Sequence, residues 1–171
     1  GSSTYTANWK DISDNLRRSV NWCCEECGID LSSNKHLLHV HHVDGMKGHN
    51  SRSNLRALCK ACHRQQPLHD HMYVPREEMK FFNELRRAAG LFDGQWDTAF
   101  KFADPALHGP LGMARNANWE CPEIGFEIPA TSTVTEVAWP RRRLAITLER
   151  PLPVVSGWRV IDLASAALMK M

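Results

Sequence analysis

Four short blocks decide the fold: CEECG at 24–28, LHVHHV at 38–43, SNL at 53–55 and LCKACHR at 58–64. The first and last blocks each hold a Cys-x-x-Cys pair, Cys24/Cys27 and Cys59/Cys62, with 31 residues between the pairs. Four thiolates from two such knuckles satisfy one tetrahedral zinc ion and leave it no open position. The spacing therefore predicts a structural zinc site that closes a hairpin, and small domains of this kind depend on the metal to fold.

The six cysteines allow other arrangements as well. The two pairs could form disulfides in a secreted chain, but no secretory signal is visible, which favours metal binding in a cytoplasmic protein. Cys23 abuts the first pair and could replace Cys24, although Cys24 keeps the two-residue spacing. Cys23 and Cys121 are otherwise expected to be small buried residues.

Histidines form a second set of candidate ligands. His41 and His42 precede Asp44-Gly45, a turn signal at which regular strand pairing can break and both rings can approach one site. His63 directly follows the second cysteine pair, so the zinc would fix the segment that presents it. One or two imidazoles leave a divalent ion with open positions for water and phosphate oxygens, and a free imidazole nearby can take a proton from that water.

Taken in order, the blocks 38–43, 53–55 and 58–64, with the zinc knuckles interleaved, resemble the HNH (ββα-metal) nuclease family. The resemblance implies an α+β fold: a ββα-metal module with a structural zinc, preceded and followed by helices. It also implies that His41 and His63 bind the catalytic ion, that His42 is the general base, and that Asn54 steadies this base by hydrogen bonding.

The mechanism that the resemblance implies is a one-metal hydrolysis, in which His42 deprotonates a water for in-line attack on phosphorus. Mg²⁺ or Mn²⁺ is the usual ion, with Ni²⁺ or Zn²⁺ as alternatives for a His-rich site. Some relatives carry a further histidine four residues after the last motif histidine. That position is Pro67 here, which leaves His69 or His71 as a substitute.

Contacts to DNA need cations near the metal cleft. The segment that opens at Ser53 is expected to be a helix carrying the second cysteine pair. Arg56, Lys60 and Arg64 then recur every fourth residue and form one basic helix face for double-stranded DNA, contacting mainly its backbone. The alternative is a solvated helix surface.

The flanking sequence predicts two further helices, an amphipathic one over 9–20 and one that Pro75 opens and Gly90 stops. A boundary near 90–105 separates an HNH module with its helices, 8–92, from an α+β extension, 105–171, expected to bind DNA or a partner. The stretch 104–125 is predicted to be rich in loops. Strand-like runs follow at 126–128, 134–139, 144–148 and 158–161, before a final helix.

This extension faintly resembles the PD-(D/E)xK restriction-endonuclease-like fold. The second-strand carboxylate of that fold would fall on Thr147, and no lysine follows, which implies a catalytically dead copy.

Composition is that of a soluble globular protein, with 43% hydrophobic residues, a net charge of +2 and no apolar run long enough to span a membrane. Gly1-Ser2-Ser3 resembles a cloning remnant.

We expect an HNH endonuclease that hydrolyses DNA phosphodiester bonds, by nicking or double-strand cleavage, in restriction or anti-phage (antiviral) defence, together with protein partners of such a system. The alternative is a non-cutting zinc-ribbon subunit that binds DNA or protein in a larger defence or DNA-processing complex.

Overall fold

The computed structural model describes residues 4–171, so the remnant Gly1-Ser2-Ser3 lies outside the described residues. The chain divides into two compact units, one ending at Ala89 and the other beginning at Gly90. Each unit has its own sheet and its own buried core.

The first unit contains the expected ββα arrangement. Its elements are α1 (Trp9–Ser19), β1 (Leu38–His42), β2 (Leu55–Cys59), α2 (Lys60–Arg64) and α3 (Arg76–Ala88). The two strands pair antiparallel, with Leu38 opposite Cys59 and His42 opposite Leu55. The predicted α+β fold, with helices before and after the metal module, is therefore confirmed.

Both flanking helices form where the sequence predicts them. In α1, the buried Leu16 faces the hairpin, and Arg17 Nη1 donates a hydrogen bond of 3.2 Å to the carbonyl oxygen of Leu38 on β1. Helix α3 begins directly after Pro75 and ends before Gly90, whose φ of +74° is a left-handed conformation that a β-carbon would strain.

The prediction of a helix opening at Ser53 is wrong. Residues 52–54 make a single 3₁₀ turn, β2 occupies Leu55–Cys59, and the helix starts only at Lys60. The segment is a strand because Leu55 and Ala57 are buried and the whole run pairs with β1. Helix α2 starts where the Sγ of Cys59 accepts a hydrogen bond of 3.3 Å from the backbone N–H of Cys62. Tertiary pairing thus overrides the helix-like spacing of the basic residues.

The second unit combines helices with one mixed sheet. Its elements are α4 (Trp96–Phe102), α5 (His108–Asn116), β3 (Glu123–Glu127), β4 (Val134–Trp139), β5 (Leu144–Ile146), β6 (Arg159–Ile161) and α6 (Leu163–Ala167). The strand order is β3-β4-β5-β6, antiparallel except for the parallel pair β5/β6. Across residues 4–171, the structure places no helix of the length and apolar character that a bilayer crossing requires.

The prediction that 104–125 is mainly loop is also wrong, because α5 lies inside it and contains Gly109, Pro110 and Gly112. Pro110 falls in the first turn, where a missing N–H costs no helical hydrogen bond. Leu107, Leu111 and Ala114 are completely buried and recur at helical spacing, so packing stabilises this helix despite its glycines. The likeness of this unit to the PD-(D/E)xK fold stays a prediction.

Candidate metal centres

The two cysteine knuckles come together in a buried cluster. The Sγ atoms of Cys24, Cys27, Cys59 and Cys62 all lie within 4.8 Å of one another, and those of Cys27 and Cys59 are 3.9 Å apart. Zinc–sulfur bonds of about 2.3 Å in a tetrahedron place neighbouring sulfurs about 3.8 Å apart. The thiols are unbridged, and Cys24, not the half-buried Cys23, belongs to the cluster. The donor set therefore suits a structural zinc ion.

Local backbone geometry shapes each knuckle. The N–H of Cys27 points at the Sγ of Cys24 at 3.5 Å, and Gly28 allows the tight turn with a φ of +78°. Glu25 fastens this knuckle to β2: its backbone N–H donates to the carbonyl oxygen of Ala57 at 2.8 Å, and its carboxylate accepts from the Ala57 N–H at 2.7 Å.

A buried arginine faces the thiolates. Arg86 of α3 is 1% exposed, and its Nη2 lies 3.5 Å from the Sγ of Cys62 and 4.0 Å from that of Cys59. Its Nη1 donates to Asn83 Oδ1 at 3.2 Å. Four thiolates around one Zn²⁺ carry a net charge of −2, so the guanidinium compensates charge that burial makes costly. The sequence analysis missed this role, although Arg86 falls one turn after the buried Phe82 on the same helix face.

The second centre consists of imidazoles. His41 is the second-last residue of β1, His63 lies on α2, and His69 follows α2. One ring nitrogen of each lies within 4.8 Å of those of the other two. The ring centroids are 4.5 Å apart for His63 and His69, and 5.0 Å for His41 and His69. Of the two substitutes considered for a third ligand, His69 joins the cluster. His71 is outside it, with its ring centroid 6.4 Å from that of His69.

The pKa shifts of His41 and His63 suit metal binding. Burial lowers the pKa of His63 to about 3. Burial is also the main cause of the lowered pKa of His41, and the electrostatic effect of the nearby His69 is the next largest cause. Within the described residues, the buried Nε2 of His63 has no hydrogen-bond partner. Buried polar atoms are rarely left unpaired, so this nitrogen is suited to bind a metal ion. Its other nitrogen, Nδ1, lies 3.1 Å from Nδ1 of His39. An ion on Nε2 leaves the proton on Nδ1, which then donates to His39 and fixes the ring orientation.

His42 is separate from this cluster and has partners of its own. Its Nε2 lies 2.9 Å from Oδ1 of Asn50, and because an amide oxygen only accepts, Nε2 carries the proton. In the neutral ring, Nδ1 is then the nitrogen that carries no proton. Asn50 is fixed in turn, since its Nδ2 donates to Thr6 Oγ1 at 2.9 Å. The Trp9 ring packs on the imidazole with centroids 4.8 Å apart. Sequence patterns gave no signal for Asn50.

The Asn54 side chain bonds to the turn that follows β1. Its Oδ1 accepts from the Asp44 N–H at 3.0 Å, and its Nδ2 donates to Asp44 Oδ1 at 2.9 Å and to the His49 carbonyl oxygen at 2.8 Å. Its backbone carbonyl accepts from the Val43 N–H at 2.9 Å. Asn54 therefore fixes the turn that follows His42, rather than contacting the imidazole by one of these bonds.

The basic residues are not arranged as predicted. Arg56 lies on β2 while Lys60 and Arg64 lie on α2, so the prediction of one basic helix face is wrong. Carboxylates pair with two of the charges: Arg56 with Glu26 at 3.0 Å and Lys60 with Glu78 at 2.9 Å. The Arg64 guanidinium lies 4.0 Å from the sulfur of Met79. The expectation that these residues contact DNA stays a prediction.

Comparison with known proteins agrees with this geometry. Residues 24–67 match the family model described as HNH endonuclease. The chain is 37% identical to Zorya protein ZorE of Escherichia coli over 163 residues, which are 92% of this chain and 44% of that protein. It therefore spans less than half the length of this curated relative. No solved structure matches the chain. The family match covers residues 24–67, and the thiolate cluster within this stretch is a donor set for zinc.

Proposed function

We propose that this chain is an HNH endonuclease, a metal-dependent hydrolase that cleaves DNA phosphodiester bonds in anti-phage defence. One observation carries the proposal: Nε2 of His42 bonds to Asn50 and leaves Nδ1 open, and the preceding residue, His41, belongs to a three-histidine cluster in which the buried Nε2 of His63 has no hydrogen-bond partner. The match of 24–67 to the HNH family supports the nuclease activity, and the similarity to Zorya protein ZorE supports the defence role.

His41, His63 and His69 would hold the catalytic ion. A bound divalent ion supplies Lewis-acid stabilisation of the negative charge that develops on the phosphate. Three imidazoles without a carboxylate are a donor set for borderline transition ions. This favours Mn²⁺, Ni²⁺ or Zn²⁺ over Mg²⁺, although the family resemblance implies either Mg²⁺ or Mn²⁺ as the usual ion.

His42 acts as the general base. Its Nε2–H is held by the Asn50 amide oxygen, so Nδ1 is the atom that takes the proton from the attacking water. Trp9 restricts rotation of the imidazole by packing on one face, and Asn54 holds the turn that follows it. A single site of this kind cuts one strand per event, so a monomer nicks DNA and a dimer can break both strands.

The second unit is proposed to bind DNA or a partner protein rather than to take part in hydrolysis. Its supporting feature is a separate core, in which Val137, Trp139 and Ile146 of its sheet are completely buried. The proposed division is accordingly a nuclease module over 8–92 and a binding extension over 105–171.

Cleavage of supercoiled plasmid tests the nuclease activity. Wild type, His42→Ala and the control His36→Ala, which changes an exposed histidine of the same unit, are compared with Mg²⁺, Mn²⁺, Ni²⁺ or Zn²⁺. We expect the wild type and His36→Ala to relax or linearise the plasmid, and folded His42→Ala to leave it intact. If none of the three cuts with any ion although all bind DNA, the chain is the non-cutting binding subunit instead.

A further inference from the structure

An aromatic cluster borders the proposed base. The rings of Tyr5 and Trp9 stack with centroids 4.8 Å apart and an angle of 15° between their planes, and Tyr5 lies 6.0 Å from the His42 ring. His42 is buried, whereas Tyr5 is 48% exposed. Tyr5 therefore forms a solvent-facing wall beside the His42 ring.

A lysine lies on this wall. The Nζ of Lys47 is 4.9 Å from the centre of the Tyr5 ring. Lys47 belongs to the turn after β1, between Asp44 and His49, the two residues to which the Asn54 side chain bonds. A turn held at both ends presents the ammonium group in a defined place on the Tyr5 ring.

Lys47 differs in its partner from three other cations of the motif. Arg52, Arg56 and Lys60 each pair with a carboxylate, at 2.7, 3.0 and 2.9 Å respectively. For Lys47, the structure of residues 4–171 gives an aromatic ring as partner and no carboxylate. A phosphate can approach Lys47 without displacing an anion, whereas at Lys60 it would compete with Glu78.

We propose that Lys47 and Tyr5 form the contact for the nucleotide beside the scissile bond, with the ammonium on a backbone phosphate and the exposed ring against the sugar or base. This site rests on the proposed nuclease function and moves the main substrate contact away from Arg56, Lys60 and Arg64. An aromatic ring can pack on any base, so the site would strengthen DNA binding and position the strand without selecting a sequence.

The test is binding of a fluorescent 20-base-pair duplex to the full chain in a non-cutting His42→Ala background, between 50 and 200 mM salt. One lost phosphate contact lowers the slope of log Kd against log salt by about 0.9. We expect this reduction for Lys47→Gln and not for Lys47→Arg. The matched control is Lys35→Gln, because Lys35 also lies on an aromatic ring, 4.6 Å from the Trp22 centroid, at the opposite end of β1. Tyr5→Ala should weaken binding about tenfold, and Tyr5→Phe should not.

The outcomes separate this site from the proposed function. If wild type cuts plasmid but Lys47→Gln keeps the parent slope, the nuclease stands and this contact is wrong. If Lys60→Gln lowers the slope and Lys47→Gln does not, the sequence-based assignment replaces ours. If the parent chain does not bind DNA at all, both proposals fall.

Discussion

Removal of the Arg86 guanidinium should weaken the zinc site. Arg86→Leu deletes the donor that lies 3.5 Å from the Sγ of Cys62 and 4.0 Å from that of Cys59, while it keeps an apolar side chain in the buried position. A hydrogen bond to a charged group contributes about 1.5–3 kcal/mol. At 1.4 kcal/mol per factor of ten, zinc affinity should fall about tenfold to a hundredfold, the range usual for groups that bond to metal ligands.

Competition with a chromogenic zinc chelator at constant pH measures this change. The thiolates should also react faster with an alkylating reagent, because a zinc ion that is held more weakly protects them less. Arg86→Lys keeps the positive charge but has one terminal nitrogen in place of two, so it cannot reproduce both the contact of Nη2 with the thiolates and the bond of Nη1 to Asn83. Its zinc affinity should therefore lie between those of wild type and Arg86→Leu. Glu84→Gln changes an exposed residue of the same helix and should leave zinc binding unaltered.

Equal zinc affinity and equal alkylation rates for Arg86→Leu and wild type would refute the reasoning. In that case the arginine only fills space between α3 and the knuckles. Circular dichroism at saturating zinc separates this result from a failure to fold, because Arg86→Leu should regain its helices once the site is filled.

Three further changes follow from the imidazole centre. His69→Ala should weaken binding of the catalytic ion while His71→Ala does not, as isothermal titration with Mn²⁺ will show; equal effects would remove His69 from the site. Asn50→Leu should lower kcat with little change in KM, because Nε2 of His42 loses the acceptor that fixes its proton; a change confined to KM would contradict this. Burial lowers the pKa of His63 to about 3, against about 6.5 in the unfolded chain, so the unfolded state takes up the proton first. The associated stability is intact above pH 6.5 and falls as the pH drops toward 3, and denaturant titrations between pH 7.5 and 5.5 should show a smaller loss for His63→Gln than for wild type.

The zinc site and the hairpin could be predicted because their signals are local. The spacing of two residues between paired cysteines allows both thiols to bind the same ion. The turn signal at Asp44-Gly45 marks the end of the first strand of the hairpin. The boundary between β2 and α2 could not be predicted, because Arg56, Lys60 and Arg64 recur every fourth residue, as they would on a helix. Pairing with β1 decides the conformation of this segment, and the sequence of the segment alone does not carry that information.

The surroundings of His42 escaped prediction for a different reason. Asn50 lies eight residues from the base in sequence, and its own partner Thr6 is 44 residues away. No spacing rule links residues that come together only when α1 packs on the hairpin. The choice of His69 over His71 likewise depends on the path of the chain after α2, where Leu68 adopts a left-handed φ of +65° that a non-glycine residue rarely takes.

Helix α2 contributes a residue to each of the two candidate metal centres, and through it the imidazole cluster depends on the zinc site. It has five residues, too few to form a stable helix by itself, and it carries both Cys62 of the zinc cluster and His63 of the imidazole cluster. Cys59 bonds to its first turn and Arg86 of α3 faces its thiolate, so contacts around the zinc hold the helix in place. His63 can face His41 and His69 only while that helix exists. Loss of zinc should therefore disrupt the proposed catalytic centre, whereas removal of an ion from the imidazole cluster should leave the zinc site and the hairpin intact.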